Sequence, residues 1–143
     1  MKDRRRGERR QGERRKEPEH VEQAQLFRWA ALHERRIPEL QWLYAIPNGR
    51  FRHISEAVKL KAEGVQPGVP DVALDVARQG YHGFRIEMKA PGKKKQTSEI
   101  QRCWHDFLRI QGYQVVTCDS WQEAWNALVT YLGHENLKQT VRV

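Results

Sequence analysis

Two carboxylates and one lysine are the residues of this 143-residue chain whose types and spacing could do chemistry. Asp71 and Glu87 lie in two neighbouring segments, 71–76 and 84–90, in which apolar and polar residues alternate. This alternation predicts two β-strands. A strand sends successive side chains to opposite faces, so Glu87 shares its face with Lys89. If the two strands pair as a hairpin, Asp71 approaches Glu87, and two carboxylates meet one ammonium group.

Two close carboxylates repel each other, and a shared proton or a divalent cation relieves that repulsion. Mg²⁺ takes oxygen ligands, commonly one or two carboxylates together with water and substrate phosphate. A metal there acidifies a water and neutralises charge that develops on a phosphodiester oxygen. Lys89 would either orient or activate that water or stabilise the phosphorane, and the sequence does not choose between these roles. A Glu-x-Lys pair is weak evidence by itself, because exposed strands carry similar ion pairs.

The segments around this pair predict an α/β fold. Apolar residues recur with helical or strand period in six further segments: helices over 18–35, 55–62, 98–111 and 120–132, and strands over 41–46 and 113–118. The clearest helix begins after Ser98, and we expect its apolar face to be buried; this face carries Ile100, Cys103, Trp104, Phe107 and Leu108. Helices and strands in mixed order predict a central sheet with helices against its faces.

Positive charge is concentrated near the N-terminus. The chain has 26 Lys and Arg against 18 Asp and Glu, a net charge of +8, of which residues 2–17 carry +5. Such an excess favours a polyanionic partner. We predict three parts: an Arg-rich arm over 1–17 that is disordered without a partner, a folded domain over 18–133 and a loose tail over 134–143.

Several classes of protein are excluded by the sequence. No apolar stretch approaches the ~20 residues needed to cross a bilayer, and the N-terminus lacks the apolar core of a signal peptide. We therefore expect a cytoplasmic protein that is not secreted and has no membrane partner. Cys103 and Cys118 lack the spacing of a zinc site, and we expect both to be reduced thiols in the core. No Walker loop is present.

The motif Pro70-Asp71 followed by Glu87-x-Lys89 resembles the core motif of the PD-(D/E)XK nuclease superfamily. Further fragments, in their order and spacing, are similar to the virus-type replication-repair nuclease branch, VRR-NUC: Glu22 and Gln25, Pro47-Asn48-Gly49, Gly64-Val65, Gly68-Val69-Pro70-Asp71-Val72, Ile86-Glu87-Met88-Lys89, Ser98-x-x-Gln101 and Gly112-Tyr113. The resemblance covers residues 21–132. It implies a restriction-endonuclease-like core, a mixed central β-sheet flanked by helices, and a DNA endonuclease that depends on Mg²⁺ or Mn²⁺.

The resemblance also implies roles for individual residues. Asp71 and Glu87 would bind the metal together with the backbone carbonyl of Met88, and Lys89 would be the catalytic lysine. Small members of the branch are associated with dimers that cut four-way junctions, in the cytoplasm of a bacterial or phage-infected cell.

Two further residues match the branch and also have ordinary structural explanations. Glu22 matches an acid of the first helix that lies near the metal, and a first-turn acid is also favoured by the helix dipole. Gln101 matches a glutamine on the helix after the motif, and three residues after Ser98 it can also close a capping box. The two roles of Gln101 are compatible.

Basic residues in three places predict contacts with DNA phosphates: Lys93, Lys94 and Lys95 in a loop before a helix, Arg50 and Arg52 after a turn, and Arg9, Arg10, Arg14 and Arg15 in the arm. The loop over 93–95 has a plain alternative as a solvated connector, and the arm as a solubilising tail.

The leading interpretation is a metal-dependent endonuclease for branched or structured DNA that acts in repair or recombination. One metal site makes one cut, so symmetric cleavage of a junction needs a C₂ homodimer, with Trp121 or Trp125 as a candidate interface. The alternative is a noncatalytic nucleic-acid-binding protein. In that case the arm and the 93–95 loop grip phosphates, and the acids merely pair with Lys89.

Overall fold

The computed structural model describes residues 18–48 and 53–140. Within these residues the helices are α1 (Pro18–His33), α2 (Ile54–Ala62), α3 (Glu99–Ile110) and α4 (Trp121–Tyr131). The strands are β1 (Tyr44–Ala45), β2 (Val72–Leu74), β3 (Phe84–Met88) and β4 (Gln114–Cys118). Two short 3₁₀ turns cover Pro38–Trp42 and Glu135–Leu137.

The four strands form one mixed sheet in the order β1-β2-β3-β4. β1 pairs with β2 and β2 with β3 in antiparallel fashion, while β4 runs parallel to β3 after the α3 crossover. The hairpin between the two central strands is therefore confirmed, as is the α/β fold with a mixed sheet flanked by helices.

One face of the sheet carries the apolar core. Phe84, Ile86 and Met88 alternate along β3 and are all buried against α1 and α4. The ring of Phe84 stacks on Tyr131 of α4 at 4.8 Å between centroids. Because the side-chain period of a strand is two, Glu87 is directed to the opposite face, which α3 covers.

The structure corrects the expected burial of α3. Ile100 and Phe107 are 46% and 51% exposed, and Cys103, which we expected in the core, is also exposed. The buried residues of the helix are His105 and Leu108. The reason is that the face of the sheet under α3 carries the polar Glu87 and Lys89, so the helix turns a partly polar stripe inward. Of the predicted apolar face, Leu108 is buried as expected, while Ile100, Cys103 and Phe107 are exposed.

The structure also differs from the strand predicted over 41–46. Pro38 begins a 3₁₀ turn that lasts to Trp42, and only Tyr44 and Ala45 pair as a strand. Leu40 and Leu43 both reach the core. Residues three apart lie on one side of a 3₁₀ turn, whereas in a strand they would point to opposite faces.

The described part of the C-terminal tail contacts α4. The Trp125 Nε1–H donates to the carbonyl of Leu137, and Asn126 exchanges two hydrogen bonds with the backbone of Gln139. Leu137 and Gln139 are thus bonded to α4, and the proposed division into an arm, a domain and a tail stays a prediction. None of the helices in the described ranges has the length and apolarity of a membrane span.

Candidate active site

Asp71, Glu87 and Lys89 lie at the same end of the central hairpin. The pairing of Val72 with Ile86 sets Asp71, just before β2, opposite Glu87 in β3. All three charged side chains are buried, with exposures of 7%, 1% and 5% respectively. Charged groups are seldom buried without partners, because removing them from water is unfavourable. These three side chains therefore form the centre of the candidate site.

The carboxylate of Asp71 is held against the β3 backbone. Its Oδ2 accepts a hydrogen bond from the backbone N–H of Met88 at 2.8 Å, and its Oδ1 accepts one from the side-chain amide of Asn48. In an antiparallel ladder the N–H and C=O of one residue point to the same neighbouring strand. The carbonyl of Met88 therefore faces the side on which Asp71 lies.

Gln101 of α3 connects the other two charged groups. Its Nε2 donates to Glu87 Oε1 at 2.5 Å, and its Oε1 accepts from Lys89 Nζ at 2.7 Å. Lys89 Nζ lies 3.7 Å from the same Glu87 oxygen. The predicted capping box also forms, since Gln101 Oε1 accepts from the Ser98 N–H and Ser98 Oγ accepts from the Gln101 N–H. Because Gln101 lies in the first turn of α3, its side-chain amide contacts both Glu87 and Lys89.

The structure adds a residue that the sequence did not single out. His105 is 4% exposed, and its Nε2 lies 3.8 Å from Glu87 Oε2. Neither of these two buried atoms has a hydrogen-bond partner in the described part of the chain. The available signal was helical spacing, because His105 is four residues after Gln101 and three before the buried Leu108.

Glu22 lies at another helix terminus. Its Oε2 accepts a hydrogen bond at 2.7 Å from the backbone N–H of Trp121, the first residue of α4. A carboxylate in this place is favoured by the dipole of α4 and satisfies a backbone donor that has no partner within the helix. The role of Glu22 at a metal stays a prediction.

The basic loop over 93–95 is exposed and contacts α4. Lys94 Nζ pairs with Glu123, and this hydrogen bond raises the pKa of Lys94 above its ordinary value. The backbone N–H of Gly92 donates to Asp119 at 3.3 Å. The remaining predicted DNA contacts lie outside the described residues: Arg9, Arg10, Arg14, Arg15, Arg50 and Arg52.

The donor set at the hairpin fits a hard divalent cation. Glu87 Oε2 is a buried carboxylate oxygen without a hydrogen-bond partner among the described residues, and a cation would satisfy it. Within those residues no three His, Cys, Asp or Glu side chains form a metal cluster. Two carboxylates and the carbonyl of Met88 are nevertheless enough for Mg²⁺, which usually keeps several waters and binds substrate phosphate.

Comparisons with known proteins identify the family and the fold of the chain. The VRR-NUC domain profile matches residues 5–122 of the chain. A solved structure described as a VRR_NUC domain protein is similar with a TM-score of 0.67 and 25% sequence identity, over 86% of this chain and 97% of that chain. The curated proteins give no match. Because the profile matches well over half of the residues and the solved structure shares the fold, this chain belongs to the VRR-NUC family.

Proposed function

We propose that this protein is a divalent-metal-dependent endonuclease that hydrolyses phosphodiester bonds in DNA. The VRR-NUC domain is a nuclease-type domain. The observation that supports catalysis most strongly is the burial of Asp71, Glu87 and Lys89 together at the end of one hairpin. Burial of three charged groups is unfavourable unless they serve each other or a ligand.

The residues of the site have two proposed roles, metal binding and positioning of the reacting groups. Asp71, Glu87 and the Met88 carbonyl would hold Mg²⁺ or Mn²⁺. When bound, such a metal supplies a more acidic water and neutralises charge on the phosphate. Lys89 has three N–H donors, of which one is directed at Gln101 at 2.7 Å. The others suit a water or a phosphate oxygen, so the lysine orients the nucleophile or stabilises the transition state.

The noncatalytic alternative is less consistent with the burial of the acids. A protein that only binds phosphates gains from Lys93 and Lys95, which are exposed. It has no use for two buried carboxylates beside its ligand, because they repel the same phosphates. The basic loop is proposed to contact DNA in either case, together with Arg50, Arg52 and the Arg-rich arm.

Cleavage assays test the catalytic proposal. Labelled four-way junction, matched duplex and single-stranded DNA are incubated with Mg²⁺, Mn²⁺ or EDTA. We expect cleavage with either metal, none with EDTA, and none for Glu87→Gln or Lys89→Ala. Asp75→Asn is the control, since that carboxylate is exposed and its partners are Arg85 and the hydroxyl of Tyr44. Cleavage by the Glu87 and Lys89 variants at the wild-type rate contradicts the proposal.

We further propose a homodimer that acts on branched DNA in repair or recombination. The interface expected at Trp125 is wrong, because this side chain is fully buried. Trp121 is half-buried and packs on Trp29 at 5.1 Å between centroids. The outer faces of α2 and α3 are more suitable, since α2 has no buried residue and both helices expose large apolar side chains: Ile54, Val58, Ile100 and Phe107.

Light scattering coupled to gel filtration tests the dimer. We expect the wild type to have twice the 16.9 kDa mass of the chain, and Phe107→Glu to be a monomer that nicks one strand of a junction. Leu32→Glu is the matched control, because Leu32 is an exposed apolar residue on α1. A wild-type monomer at the assay concentration contradicts the proposal.

A further inference from the structure

We propose that His105 is a positioning residue that orients the Glu87 carboxylate for metal binding. This inference rests on the proposed function. It starts from two buried atoms that face each other, His105 Nε2 and Glu87 Oε2, 3.8 Å apart. Each lacks a hydrogen-bond partner in the described part of the chain. Buried polar groups in proteins are nearly always satisfied, so the pairing of two unsatisfied atoms with complementary chemistry calls for an explanation.

The distance leaves no room for a bridging water between the two atoms. A water that bridges two polar atoms requires them to be about 4.5 Å or more apart, since each hydrogen bond is about 2.8 Å long. The gap of 3.8 Å is too short for that water and about 0.8 Å longer than a good N–H···O bond. Catalytic hydrogen bonds are often long in the free enzyme and shorten in the complex. An imidazole N–H at Nε2 is the matching donor for the carboxylate.

The other contacts of Glu87 show what this donor would do. Gln101 holds Oε1 at 2.5 Å, and Lys89 lies 3.7 Å from the same oxygen. With only one oxygen restrained, the carboxylate of Glu87 can still rotate about its Cγ–Cδ bond. A donor at one lone pair of Oε2 removes that freedom and leaves the other lone pair for the cation. His105 and Gln101, four residues apart on α3, thus set the plane of the carboxylate together. Ligating carboxylates in metal sites are commonly held by such hydrogen bonds.

Metal-binding calorimetry with Mn²⁺ alone tests this role without depending on cleavage. We expect His105→Leu, which keeps the volume and loses the donor, to weaken Mn²⁺ binding about 10–100-fold. His105→Gln should recover most of the affinity, because its amide N–H reaches about as far as Nε2. Leu108→Ala is the matched control, since it perturbs the same buried face of α3 without touching a polar group. Thermal unfolding of each variant reports on the fold.

The outcomes separate this inference from the proposed function. If the wild type binds Mn²⁺ and Glu87→Gln does not, the metal site stands, and unchanged affinity in His105→Leu then overturns the role of His105 alone. Equal losses of affinity in His105→Leu and Leu108→Ala also overturn it, because they indicate packing only. If the wild type binds no Mn²⁺, both proposals fail together. Weaker binding in His105→Leu with rescue by His105→Gln supports the positioning role.

Discussion

Replacing Gln101 tests whether this residue supports Glu87 and Lys89 or only caps the start of α3. Gln101→Leu removes the hydrogen bonds to Glu87 Oε1 and Lys89 Nζ, and also the one from the backbone N–H of Ser98. Ser98→Ala removes only the other half of the capping box, the bond from the Gln101 N–H to Ser98 Oγ. The two variants therefore share a weakened cap and differ in the contacts with the charged pair.

The expected change in the free energy of unfolding follows from these contacts. Loss of an N-cap hydroxyl costs about 1 kcal/mol. Each hydrogen bond with a charged partner contributes about 1.5–3 kcal/mol. Lys89 and Glu87 are 3.7 Å apart and can close into a direct ion pair in the variant, which recovers part of this stability. We expect a loss of about 2–3 kcal/mol for Gln101→Leu, against about 1 kcal/mol for Ser98→Ala.

Urea unfolding followed by circular dichroism measures the free energy of unfolding of each variant. Initial rates of DNA cleavage in Mg²⁺ measure its catalytic activity. For a domain of this size the losses correspond to falls in Tm of about 10 °C and about 4 °C. Cleavage by Ser98→Ala should stay near the wild-type rate, while cleavage by Gln101→Leu should fall about 10–100-fold because Glu87 and Lys89 lose their common support. Equal stability losses and equal rates in the two variants would refute the reasoning and leave Gln101 as a capping residue.

Three further predictions test other parts of the molecule. Burial raises the pKa of the Cys118 thiol to about 12, so a thiol reagent at neutral pH should modify only the exposed Cys103 until urea unfolds the chain; reaction of two thiols in native protein contradicts this. Mn²⁺ at 100 times its Kd should stabilise the wild type by about 2.7 kcal/mol and leave Asp71→Asn unaffected in thermal unfolding. Deletion of residues 2–16 should weaken DNA binding and flatten its salt dependence while metal-dependent cleavage persists, and an unchanged salt slope assigns the arm to solubility.

The local predictions that succeeded depended on neighbouring residues. Alternation along β3 placed Ile86 and Glu87 on opposite faces, and the short connection between the two strands made a hairpin the simplest pairing. Ser98 and Gln101 were sufficient to locate the start of α3, because a capping box is a contact between residues three apart. The start of α2 was less accurate, since the helix was predicted over 55–62 and begins at Ile54.

The predictions that failed depended on what each element packs against. Periodicity showed that α3 is amphipathic, but the side that is buried is set by the polar face of the sheet beneath it. That face, with Glu87 and Lys89, selected the stripe with Gln101 and His105 and left Phe107 outside. No local pattern in the sequence contains this information.

The chain by itself determined its two central strands, the start of α3, its charge distribution and the identity of the carboxylates and the lysine, because these follow from backbone geometry and from residue type. Only the tertiary structure decided which residues from distant elements come into contact. It brought His105 to Glu87, tied Glu22 to the N-terminus of α4 and paired Lys94 with Glu123. Contacts between residues far apart in the chain arise when whole elements pack, and packing balances buried charge against apolar area over the entire domain.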